Sequence, residues 1–265
     1  MWYPSGHSMT FLTVGLEALT LRGEDDLTHI ALYRSLKHML RADGVSFRVP
    51  GPGSPHAFWD RALFLNLTYW DAAAPADVLV DPSLDADVLA HVAWHHAARK
   101  ALGGPASADG LFLGEAVASA FDLYLIGRTL GRGGEFLESQ VPAMAAVAEG
   151  AGMGEEAFEA LLAGVADDPE RAFEDLRALL FDAATGLVAA RDVDAAGEVL
   201  EALEGRRFVS LLHHFELSNW VLFARAYASG ALGPDPAVRS VDAVLRAVPV
   251  SLDWLAAHWL PEDPG

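Results

Sequence analysis

Apolar side chains recur at helical spacing through most of the chain. Leu12, Leu16 and Leu19, followed by Ile30, Leu32, Leu36 and Leu40, predict two short helices between residues 10 and 41. Gly23 and the acidic run Glu24-Asp25-Asp26 separate them, with Asp25 or Asp26 as N-cap of the second. The period then changes. Val45-Ser-Phe-Arg-Val49 alternates and predicts a strand, ended by the turn or loop Pro50-Gly-Pro-Gly-Ser-Pro55. Ala62-Leu-Phe-Leu-Asn-Leu-Thr-Tyr-Trp70 has the length and the aromatic, apolar content of a strand, and Asp77-Val-Leu-Val80 is a shorter one. Together the three runs can make a small sheet.

From there the pattern is helical. Ser83 or Asp85 caps a helix that runs to about Leu102 and stops at Gly103-Gly-Pro105. Further helices are expected over 111–130, 135–149, 155–165, 169–185, 192–204, 206–229, 235–247 and 251–259, with breaks at Gly131-Arg-Gly-Gly134 and from Gly150 to Gly154. The expected fold is α+β and predominantly helical: a small N-terminal sheet packed on one early helix, then an all-helical C-terminal lobe. The glycines at 131–134 suggest a division into residues 1–130 and 131–265, or one continuous domain.

Composition narrows the function classes. The 265 residues suffice for a sizeable core, and 52% are hydrophobic. No uninterrupted apolar run reaches the roughly 18 residues of a membrane span, so no membrane partner is expected. The start, Met1-Trp-Tyr-Pro-Ser-Gly-His, lacks the basic and apolar regions of a secretion signal, and a cytoplasmic protein is expected. The absence of cysteine removes thiolate ligands, disulfides and a cysteine nucleophile. A net charge of -19 argues against nucleic acid as a partner, since phosphate neutralisation needs the opposite sign. Acidic residues such as Glu155, Glu156, Asp167, Asp168, Glu201 and Glu204 read as solvated faces of alanine-rich helices.

Candidate chemistry concentrates in His91-Val-Ala-Trp-His95-His96 and Gly114-Glu115-Ala-Val-Ala-Ser-Ala-Phe-Asp122. On a helix, His91 and His95 lie about 40 degrees apart on one face and can share one metal ion, whereas His96 is turned about 100 degrees further. On the next helix Glu115 shares a face with Ser119, Asp122 and Ile126, so a hydroxyl and a second acid stand behind the carboxylate to orient a ligand. The loop over 103–113 supplies the reversal that sets the two helices side by side. No nucleophile elbow, phosphate loop or dinucleotide fingerprint is present.

These residues resemble the gluzincins, the thermolysin-like branch of the zincin metallopeptidases. That family carries two zinc-binding histidines in H-E-x-x-H and takes a third ligand from a glutamate on the following helix. Here His91 and His95 match the histidines, and Glu115 follows His95 after 19 residues, as in thermolysin. Ser119 stands where the family often has aspartate. The likeness spans residues 62–126 and implies zinc, held by His91, His95 and Glu115 with Ser119 and Asp122 behind them. It breaks at Val92, which occupies the position of the family's general base and cannot accept a proton.

Zincins also place a transition-state-stabilising His or Tyr on a later helix, which makes His213 and His214 candidates, with Tyr124 and Glu216 as lesser ones. The expected function is a metal-binding, zincin-like protein without the peptidase base. It would be a pseudo-peptidase that binds a protein or peptide, or an enzyme whose metal serves as Lewis acid in another reaction. Two histidines and a carboxylate also describe the iron(II) triad of non-haem oxygenases, so Fe(II) is the alternative metal. A metal-free helical interaction module is the third possibility.

Overall fold

The computed structural model of the protein describes residues 10–51, 77–103, 107–228 and 232–261. The strand expected over 62–70 and the aromatic Trp59 lie outside the described residues.

At the N-terminal end the apolar spacing misleads. Residues Phe11–Gly15 form a strand, β1, in place of a helix, followed by a single 3-10 turn at Leu16–Ala18. The reason is a non-local partner. β1 runs antiparallel to β3, Ser46–Pro50, with Phe11 opposite Pro50 and Gly15 opposite Ser46, and β4, Asp77–Val78, adds in parallel on the other side of β3. Aromatic and β-branched residues such as Phe11, Thr13 and Val14 suit that pleated ribbon. A separate parallel pair joins β2, Thr20–Arg22, to β5, Ser83–Asp85. Arg22 locks it by donating to both oxygens of Asp85, at 2.6 and 3.1 Å, and to the Ser83 hydroxyl at 3.0 Å.

The second predicted helix divides into α1, Glu24–Leu27, and α2, Ala31–Ala42. Asp26 therefore caps neither. Its carboxylate instead accepts the Phe136 amide, at 3.1 Å, at the start of α5, Glu135–Gly150, and so ties the N-terminal segment to the helical lobe. Gly134 makes that approach possible: its φ is 129°, and a Cβ there would lie 2.4 Å from the Asp26 carboxylate.

The helices that follow obey the sequence closely. They are α3, Ala86–Leu102; α4, Ala108–Thr129; α6, Glu155–Asp167; α7, Pro169–Ala189; α8, Val193–Glu201; α9, His214–Tyr227; α10, Pro236–Ala247; and α11, Ser251–Trp259. One departure is the helix expected over 206–229, where a 3-10 turn at Val209–Leu211 precedes α9. The fold is α+β and predominantly helical, with eleven α-helices among the described residues.

α4 is the centre of the packing. It lies against α3 on one side and α7 on another, and one hydrophobic core runs through all three without a break at 131–134. Its 22 residues are long and apolar enough to cross a membrane, yet 72% of its most apolar window is buried among the other helices. Phe112, Val117 and Phe121 on α4, Trp94 on α3 and Phe173 on α7 are fully buried. Gly127 lets α6 and α7 close on α4, since a Cβ there would come within 2.8 Å of the Val165 carbonyl oxygen.

A buried charge network clamps α7 to α10. Arg177 has no solvent exposure and donates to Asp242 at 2.8 Å and to both oxygens of Glu174 at 2.8 and 2.6 Å. Asp242 also accepts from Arg246 at 2.9 Å. Removing one partner leaves a guanidinium short of compensation where water cannot reach it. Asp242→Ala is expected to lower unfolding stability by about 3 kcal/mol, as measured by chemical denaturation. A loss below about 1 kcal/mol, the level of a surface pair, would contradict the clamp.

Candidate metal centre

Two neighbouring helices build the site. α3 starts at Asp85, whose backbone is extended. The helix turns its alanines, Ala86, Ala90, Ala93 and Ala97, and the Trp94 ring into the core. Trp94 meets the edge of Phe121, with ring centres 5.4 Å apart, and this fixes α3 on α4. Gly114 sits beneath His95, where a Cβ would be 3.6 Å from the ring Nδ1 and 3.5 Å from the Ala98 Cβ. Small residues thus hold the helices close enough for side chains of both to meet. α4 in turn begins at Ser107, which accepts the Gly110 amide at 3.1 Å as an N-cap.

This packing brings His91, His95 and Glu115 together. Glu115 Oε2 lies 3.3 Å from His95 Nε2 and 3.9 Å from His91 Nε2, and the two imidazole centres are 5.0 Å apart. One donor atom from each of the three residues falls within 4.8 Å of the others, so the group can hold a metal ion. The donors are nitrogens and oxygens, suited to a borderline divalent cation.

Asp122 lies behind His91, with Oδ2 3.1 Å from Nδ1. A hydrogen bond there keeps a proton on Nδ1 and leaves Nε2 as the nitrogen that faces Glu115, able to ligate a metal once it is deprotonated. Its other oxygen, Oδ1, and the hydroxyl of Ser119 are buried without a hydrogen-bond partner among the described residues. Polar atoms left open beside a donor cluster fit a site built to take up a charged guest. One turn before His91, Asp87 accepts from Gln140 at 2.9 Å; burial raises its pKa first, and the charge of Asp122 raises it further.

Protonation follows the same geometry. Burial works against a charged His91, but Asp122 and Glu115 outweigh it and hold the imidazole well above its usual 6.5. Burial likewise works against an ionised Glu115, but His95 and His91 outweigh it and hold the carboxyl far below its usual 4.5. Without metal, the cluster is an ion pair.

The remaining candidates fall elsewhere. His96 turns away, with Nε2 2.7 Å from Asp43 Oδ2, an oxygen that also accepts from Lys100. The Tyr124 hydroxyl accepts from Arg128 at 3.1 Å and its ring stacks on Phe121, half a helical turn round from Glu115. Val92 packs against the core. His213 is exposed and caps α9, accepting the Glu216 amide on Nδ1 at 3.2 Å. The side chain of His214 is outside the described set. Glu216, a lesser candidate in the sequence, has its carboxyl raised by burial, then by Glu115 and Asp122, against the pull of His91 and His213. Asp87 is not among the sequence candidates, although it stands one helical turn before His91. Glu216 lies in the first turn of α9, a helix that packs on α4.

No family model, curated protein or solved structure matches the chain.

A raised histidine pKa stabilises the fold below the unfolded value of 6.5 and loses that contribution as pH rises through the folded value. A lowered carboxyl pKa stabilises above 4.5 and fails as pH falls through its folded value. For metal-free protein, the stability difference between wild type and Asp122→Asn is thus expected to be largest from about pH 4.5 to 6.5 and to shrink as pH rises further. Urea unfolding at a series of pH values measures it. A difference that grows above about pH 7 would contradict the ion pair.

Proposed function

We propose that the protein is a zincin-like metal-binding protein that holds zinc through His91, His95 and Glu115 and lacks the peptidase base at its usual place. The observation that carries this reading is the convergence of those three donors within 4.8 Å, from two helices whose order and spacing resemble the gluzincin pair. Asp122 on His91 supports it, because zinc-binding histidines commonly donate their second ring N–H to a carboxylate.

Zinc in such a site acts as a Lewis acid toward a carbonyl or phosphoryl oxygen. The chain's own groups have separable parts. His91 and His95 bind with neutral nitrogens, so His91 gives up its extra proton on loading. Glu115 contributes charge, and Asp122 fixes the His91 ring. Val92 takes no part in proton transfer, which makes peptide or protein binding without cleavage, or a different metal-assisted reaction, the function to test.

Elemental analysis of protein purified without added metal is expected to give close to one zinc per chain. His95→Ala should weaken zinc affinity by on the order of 100-fold or more, and Asp122→Asn by about 10–100-fold. Iron in place of zinc would favour an oxygenase triad. An absence of metal, with His91→Ala binding divalent ions as well as wild type, would leave a metal-free helical module.

A further inference from the structure

Behind the donor cluster α4 carries two buried polar atoms, the Ser119 hydroxyl oxygen and Asp122 Oδ1, that have no hydrogen-bond partner among the described residues. Ser119 follows Glu115 by four residues and Asp122 follows Ser119 by three, so the three side chains share the face of α4 from which Glu115 and Asp122 meet His91. The two atoms do not bond each other, since such a bond would satisfy both. Side chains three apart on a helix start from Cβ atoms about 5–6 Å apart, a separation that one water molecule bridges.

We propose that Ser119 is a positioning residue for His91, acting through a water molecule held between its hydroxyl and Asp122 Oδ1. The water donates one hydrogen to Oδ1 and accepts the hydrogen of the Ser119 hydroxyl. With Oδ1 held, Oδ2 stays on Nδ1 of His91, and the ring keeps Nε2 toward Glu115. Ser119 thus serves the histidine of the neighbouring helix and not the carboxylate of its own. The effect on zinc rests on the metal-binding reading above, whereas the contact of Asp122 with His91 is present without metal.

Three observations support the assignment. A buried carboxylate oxygen without a partner is costly, and Asp122, whose side chain is 33% exposed, can relieve that cost by swinging toward solvent, which breaks its 3.1 Å contact with Nδ1 of His91. The half-buried Asp87 carboxylate, one turn before His91 on α3, pushes in the same direction by like charge. A holder is therefore needed on α4, and of the residues three or four positions from Asp122, namely Ala118, Ser119, Leu125 and Ile126, Ser119 alone is polar.

The test compares full-length wild type, Ser119→Ala and Ser119→Thr, each with and without Asp122→Ala, for zinc affinity by competition with a chromogenic chelator. Ser119→Ala is expected to weaken zinc binding by about three- to tenfold, less than the loss of a group in direct contact with a ligand histidine. Ser119→Thr keeps the hydroxyl and should stay within about twofold of wild type. In the Asp122→Ala background, Ser119→Ala should change affinity by less than about twofold, because its effect travels through the carboxylate that has been removed. Nitrogen-edited NMR of metal-free and of zinc-loaded protein should show the Nδ1 proton of His91 exchanging faster with solvent in Ser119→Ala than in wild type. Equal losses of affinity with and without Asp122, or proton exchange unchanged by Ser119→Ala, would overturn the proposal. Failure of wild type to bind zinc would instead remove the metal-binding reading, and proton exchange in the metal-free protein would still decide the role of Ser119.

Discussion

Glu115 is a carboxylate on the most heavily buried helix among the described residues, and a charge in that position has to be compensated. His91 and His95 supply the compensation from α3, and Asp122 returns negative charge to His91 from one face further along α4. The requirement fixes the register of α3 on α4, since a shift of one residue would carry both imidazoles off the Glu115 face. Trp94 against Phe121 and the small contact at Gly114 meet the same register through packing alone. Apolar fit and charge pairing therefore specify one arrangement, and that arrangement could hold a metal ion.

The same rule appears elsewhere in the helical lobe. Arg177 is buried and held by Glu174 and Asp242, and Asp109, at the buried start of α4, takes two bonds from Arg239 of α10. Each buried charge meets a partner distant in sequence. These pairs join α7 and α10 to each other and α10 to α4 around a single core.

Much of this was legible in the sequence, for identifiable reasons. The helix ending at Leu102 was marked by Gly103 and the span Ser251–Trp259 by its apolar period, both local signals. His91 and His95 were visible because a spacing of four is itself helix geometry, and the offset to Glu115 came from the family likeness. What escaped depends on contacts between distant segments. Phe11–Gly15 looked helical by spacing and became a strand through pairing with Ser46–Pro50. Asp26 looked like a cap for its own helix and caps Phe136 instead. His213 was a candidate beside the metal and instead caps its own helix, accepting the Glu216 amide.

In the proposed centre one cation is held jointly by two imidazoles of α3 and one carboxylate of α4. X-ray absorption at the zinc edge of the loaded full-length protein tests it most directly. A first shell with two imidazole nitrogens at about 2.0–2.1 Å, completed by oxygen, is expected, with loss of one imidazole from that shell in His95→Ala. A shell with no imidazole scattering, or one unchanged by His95→Ala, would contradict it.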